Sequence, residues 1–214
     1  MILQDLFVKG EYFPLTDHQE RISRYKRNDK LAKGEHADVF KESTTKNDLY
    51  ISANFAGLIT RKSADFLFGE ATSVSSGREA ESKEQLALDR LTETNNMHRL
   101  NYQQALKASV MGEAFFKIRF GQEFGGAFPK EYDPKRVLIE AVDPKKVYPQ
   151  TSPFDKSKIV CYHVAEAIQP NPSKDDWVLY VESHYANKII YRQFQLRVFM
   201  TNRDGSIEQF KIWD

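Results

Sequence analysis

The sequence predicts an α+β fold in which N-terminal helices pack on a mainly antiparallel β-sheet. Three observations carry this. Apolar residues recur at helical spacing as far as Gly112, and from Ala114 onward they alternate with a period of two. The later runs are punctuated by Asp143-Pro144 and Asp204-Gly205, which are turn chemistry. Helices first and strands later are the order of an α+β domain.

In chain order, Thr16 and Asp17 are cap candidates for a charged helix over residues 18–33, closed by Gly34. Within residues 20–35 there are six basic side chains (Arg21, Arg24, Lys26, Arg27, Lys30, Lys33) and three acidic ones (Glu20, Asp29, Glu35), a local balance of +3. Only Ile22, Tyr25 and Leu31 offer apolar anchors, so this helix belongs on a surface or against a partner. A second helix is capped by Asn47 and carries Ile51, Phe55, Leu58 and Ile59 at i, i+4, i+7 and i+8. Ala64, Phe66, Leu67 and Phe68 extend it until Gly69 ends it with a left-handed turn. Residues 71–81 form a polar loop with a short strand.

Ser82-Lys83-Glu84-Gln85 is a capping box that opens a third helix carrying Leu88 and Leu91 and stopping near Asn95-Asn96. A fourth starts near His98, buries Tyr102, Ala105, Leu106, Ser109 and Val110, and ends at Gly112. Strands follow over residues 114–120, 136–142, 159–165, 177–182, 188–199 and 207–213. The spacing of Phe55, Leu58 and Phe66 on one helix stripe, and of Phe116 and Ile118 on one strand face, predicts that these five are buried together.

The 214 residues are enough for a buried core, and 41% hydrophobic with 29% charged residues is ordinary globular composition. A net charge of +1 argues against a wholly basic nucleic-acid binder. One cysteine, Cys161, excludes an internal disulfide framework and a multi-thiolate metal site. No apolar run nears the roughly 18 residues of a membrane span, and residues 1–10 do not read as a signal peptide.

Catalytic chemistry is hard to place. Gly121, Gly125 and Gly126 have no following Lys-Ser or Lys-Thr, so they do not make a phosphate-binding loop. Glu140 and Asp143 are the nearest approach to paired carboxylates, but a strand-borne Glu-x-Lys would want lysine where Val142 stands. Cys161 and His163 share a strand face and His184 could join them, yet no acidic orienter or fourth ligand is placed. No catalytic residue, metal ligand or cofactor site is therefore assigned. The basic helix is the candidate surface for a partner or DNA, through Arg21, Arg24, Lys26, Arg27 and Lys30.

Several stretches resemble the portal proteins of tailed bacteriophages with long non-contractile tails. They are Arg24-Tyr25-Lys26-Arg27 leading to Gly34-Glu35-His36, then Asn54-Phe55 through Ala64-Asp65-Phe66-Leu67-Phe68-Gly69-Glu70, then Asn95-Asn96. The most distinctive are Gly112-Glu113-Ala114-Phe115-Phe116-Lys117-Ile118 and Val142-Asp143-Pro144-Lys145-Lys146-Val147-Tyr148-Pro149. They run in family order from about Arg21 to Tyr191. The resemblance implies a structural subunit, not an enzyme: a ring, a dodecamer in the full-length protein, at one capsid vertex, with double-stranded DNA passing through it. It implies contacts with the terminase large subunit, the major capsid or scaffolding protein and a head–tail adaptor, assembly in the host cytoplasm, and no membrane. On this reading residues 1–46 are a charged helical segment and residues 47–214 a wing-like α+β domain, mostly helical to 112 and mostly strands from 113. The family's stem, clip and crown have no counterpart here, which is the expectation for a fragment. The competing reading is a DNA-processing enzyme of a phage or mobile element, such as a metal-dependent nuclease.

Overall fold

The structure, a computed structural model, describes residues 5–36, 53–202 and 205–214. Among them are helices α1 (Gln19–Lys33), α2 (Phe55–Phe68), α3 (Lys83–Thr94) and α4 (Met97–Met111). The strands are β1 (Tyr12–Phe13), β2 (Phe115–Gly121), β3 (Arg136–Val142), β4 (Val147–Thr151), β5 (Ile159–Asn171), β6 (Asp176–His184), β7 (Ile189–Thr201) and β8 (Ile207–Ile212). All strand pairing is antiparallel, so the α+β class holds. The chain divides into two compact units, one of Met1–Ser23 with Lys145–Asp214 and one of Arg24–Pro144.

The first unit is a six-stranded sheet in the order β1-β8-β7-β6-β5-β4. Its strands are hairpin neighbours, except that β1, from the N-terminal stretch, closes the edge beside β8 through Phe13↔Phe210. Alternation explains the core: Ala165, Leu179, Val181, Leu196, Phe210 and Ile212 share one face, and Phe7, Phe13, Leu15 and Ile22 pack over it. The rings of Phe7 and Tyr148 meet edge-on at 5.7 Å between centroids.

In the second unit α2 lies along α4. Asn54 caps α2, accepting from the Gly57 amide at 2.8 Å while donating to the Ala32 carbonyl at 2.9 Å. Asn47 and Ile51 lie outside the described residues. A side chain at Gly57 would sit 2.4 Å from the Ala32 carbonyl oxygen, so only glycine permits α2 to pass so close. Gly69 ends α2 at φ −65°, in the right-handed region rather than the left-handed turn expected. Gly112, at φ +81°, does close α4 with a left-handed turn.

The capping box is half formed. Ser82 accepts from the Gln85 amide at 3.2 Å, but the Gln85 side chain is taken by Ser76, Val74 and Asp89. Residues 71–81 contain no strand. On α4 the buried residues are Leu100, Gln104, Ala105 and Met111; of the expected stripe, Ala105 is buried and Ser109 is exposed. The β2–β3 ribbon is tied to the helices by Asn95, which donates to the Val137 carbonyl at 3.1 Å and accepts from the Ile139 amide at 2.8 Å.

The expected cluster of Phe55, Leu58, Phe66, Phe116 and Ile118 does not form: all five are exposed. Periodicity correctly grouped them on shared faces but could not say which face meets the rest of the chain. Helix α2 has two apolar sides, and it packs through the small one, with Gly57 and Ala64 buried. The ribbon is turned likewise. Leu138 is buried on the face that carries Lys117, Arg119 and Glu140, and the phenylalanine face looks outward.

Candidate interaction surfaces

The α1 residues are placed unequally. Arg21 is half-buried; its guanidinium donates to the Val147 carbonyl and approaches His18 Nδ1 at 3.4 Å, so it serves to fasten α1 to β4. Arg24, Lys26, Arg27 and Lys30 are exposed. With Ile22 and Tyr25 buried, the 100° step of the helix puts Arg24 and Arg27 on the far side, with Lys30 and Lys26 on the flank between. Along the inner side Asn28 donates to the Val110 carbonyl at 3.0 Å. The exposed cations offer long-range attraction for an anionic surface.

The catalytic candidates resolve into structural roles. Glu140 lies directly across the ladder from Lys117 and is held by it at 3.2 Å and by Arg119 at 2.7 Å. Burial pushes its carboxyl up, but the Arg119 hydrogen bond and the Lys117 charge outweigh this and hold it below the usual range. The lysine missing from its own strand is supplied by the neighbouring one, where it neutralises the carboxylate instead of joining a metal site. Asp143 is bridged to Lys107 at 3.4 Å. Among the described residues no group of His, Cys, Asp and Glu side chains could hold a metal ion.

Cys161 and His163 do come together, at 3.8 Å, fully inside the sheet unit. His163 is bonded to Ser183 Oγ at 2.8 Å and to Gln150 Oε1 at 3.1 Å. His184 does not join them; it pairs with Glu182 at 3.2 Å. Burial pushes the Cys161 thiol up, away from the reactive thiolate, and pushes His163 down to about 4, with the nearby Arg192 charge adding to the effect. A neutral histidine and a protonated thiol without solvent access make a satisfied core cluster, not a nucleophile.

Two further features were not read from the sequence. Asp133 is buried and accepts from the amides of Glu123 and Phe124 at 2.8 and 2.9 Å, which organises the loop between β2 and β3. Its only sequence signal was an aspartate before a proline in a polar stretch. The other is the outward apolar surface of the helical unit. Phe66 is 88% and Phe120 72% exposed. A groove of about 460 Å³ runs between α2, α4 and β2, with Leu67, Phe68, Ala105 and Phe116 in its walls. No helix among the described residues is long and apolar enough to cross a membrane.

Among the described residues the geometry thus offers surfaces for contact, while the candidate catalytic side chains are held in ion pairs or in the core. A comparison with curated proteins returns no match. The family model described as phage portal protein, SPP1 Gp6-like, matches residues 13–199. That range takes in all four helices, the strands from β2 to β6 with most of β7, and every stretch on which the sequence resemblance rests, and the chain belongs to the phage portal protein family.

Proposed function

We propose that this chain is a subunit of the portal ring at one vertex of a phage capsid, where double-stranded DNA enters during packaging and leaves on ejection. Membership of the family makes it a structural virion component of an oligomeric ring used in DNA packaging. The finer reading adds a dodecamer, assembly in the host cytoplasm, and docking of the terminase large subunit, the capsid or scaffolding protein and a head–tail adaptor. The single observation that supports it most is the family match over most of the chain. It is supported also by two carboxylates occupied by cations where an enzyme would need them free. Antibody labelling of purified particles in the electron microscope should mark one vertex per capsid; label spread over all vertices, or none on particles that contain the protein, counts against the reading.

The domain division of the sequence reading, a charged segment to residue 46 and a wing-like region after it, is retained as part of this proposal. The exposed basic side of α1 is its proposed partner- or DNA-facing surface. Replacing Arg24→Glu with Arg27→Glu should leave stability within about 0.5 kcal/mol, since both are exposed. In particles the same pair should reduce the DNA packaged per head, measured by sedimentation of filled and empty capsids. Normal filling would reduce α1 to a solvated helix face.

A further inference from the structure

We propose that the outward side of α2, together with the phenylalanine face of the β2–β3 ribbon, is the seat of a second copy of this chain. This deepens the portal reading and rests on it. The starting point is an inversion found in two neighbouring elements. Helix α2 turns Gly57 and Ala64 inward and leaves Phe55, Leu58, Ile59 and Phe66 to solvent. The helical step puts these four side chains on one stripe, nearly opposite the buried glycine and alanine. The ribbon keeps its Lys117–Glu140–Arg119 charges on the face with buried Leu138 and exposes Phe116, Ile118 and Phe120. A helix apolar on both sides is expected to be covered on both.

The ribbon face reaches α2 at the flank of its stripe, where the exposed Leu67 of α2 and Phe116 of β2 line the same groove. Gln104, 3% exposed, lies in that groove with its Oε1 unsatisfied, while its amide nitrogen is committed to the Phe115 carbonyl. An occupant that brings an N–H or O–H into the groove would find this acceptor open.

The occupant follows from size and symmetry. The four phenylalanines are 45–88% exposed; at about 200 Å² per ring-bearing side chain they leave on the order of 500 Å² of apolar surface. Leu58, Ile59, Leu67 and Ile118 bring this near the ~800 Å² that each partner gives to a standard interface, whereas a solitary monomer rarely leaves so large a patch bare. The ladder pairs Phe116↔Ala141, Ile118↔Ile139 and Phe120↔Val137, so the ribbon face carries no charge, as the centre of a subunit contact requires. A ring subunit must meet two neighbours through two different surfaces; this patch is one of them.

The test is sedimentation of the purified chain over a wide concentration range, with Phe66→Glu and Ile118→Glu prepared separately. Photo-activatable benzoylphenylalanine at position 66 or 118, in mixed isotopically light and heavy copies, identifies what lies opposite. We expect concentration-dependent association, cross-links between light and heavy copies, and each charged variant folded by circular dichroism but associating at least about thirtyfold more weakly, the loss of an interface hot spot. Variants that associate like wild type overturn the seat while leaving the portal reading intact. Cross-links confined to one copy overturn it too, since the patch is then covered by its own chain. So does a chain that stays monomeric to its solubility limit; in that case vertex labelling of particles still judges the portal reading independently.

Discussion

His163 shows how a single side chain can make this fold sensitive to acid. It is 1% exposed and lies edge-on to Phe7 at 5.5 Å. Burial, then the Arg192, His18 and His184 charges, press it from 6.5 down to about 4, with Asp5 alone opposing them. The unfolded chain therefore takes up a proton at a pH where the folded one does not. Stability from this residue is fully present above pH 6.5 and is lost as pH falls toward about 4. The loss is on the order of 3 kcal/mol, since each pKa unit corresponds to about 1.4 kcal/mol. Urea unfolding of wild type and His163→Gln at pH 7 and pH 4.5 isolates it: the variant should lose that much less stability on acidification. Parallel losses in the two proteins would show that the titrating group lies elsewhere.

Elements were more legible than their orientations. Four helices and six of the strands were readable because period 3.6 and period 2 differ plainly in this sequence. β1 was missed because two residues cannot display a period, and β4 because Pro149 and a polar Gln150 interrupt its apolar run. Which side of an element faces its own unit was not legible, since α2 and β2 are apolar on the side that turned out exposed. The candidate site fared similarly: the exposure of Arg24 and Arg27 was readable from their charge, whereas the use of Arg21 to hold β4 depends on a fold contact no local pattern encodes. Matched truncations measure this inversion. Leu179→Ala, at a fully buried position of β6, should cost about 2–5 kcal/mol. Phe116→Ala, about half-exposed, should cost about 1 kcal/mol or less in the isolated chain. Chemical denaturation of both variants checks the ordering, and a reversed ranking would place Phe116 in the core after all.

At the scale of the whole molecule, the family gives the purpose and the side chains show how little chemistry it needs. Cations occupy Glu140 and Asp143, and His163 is neutral and sealed. Purified chain with magnesium or manganese should leave supercoiled DNA uncut, and it should not hydrolyse ATP. Cleavage that follows the protein through purification and disappears on Glu140→Gln would restore the nuclease reading. The sheet unit and the helical unit are each internally consistent, and the portal assignment became readable only from the order of many weak motifs, because a structural ring component has no constellation of reactive groups to announce it.

The interleaved sequence of the sheet unit has a consequence for how the protein is made. Its first stretch, Met1–Ser23, is synthesised before the other unit, and its second, Lys145–Asp214, only after the whole of it. Phe13 pairs with Phe210. At about 5–20 residues per second the ribosome delivers that partner roughly 10–40 s later. Through that interval Phe7, Phe13 and Leu15 have no core to enter, while the stretch from Arg24 to Pro144 can emerge and fold ahead of them. The nascent chain thus carries an apolar segment in waiting, and the sheet closes only when β8 emerges, around a segment made well before it.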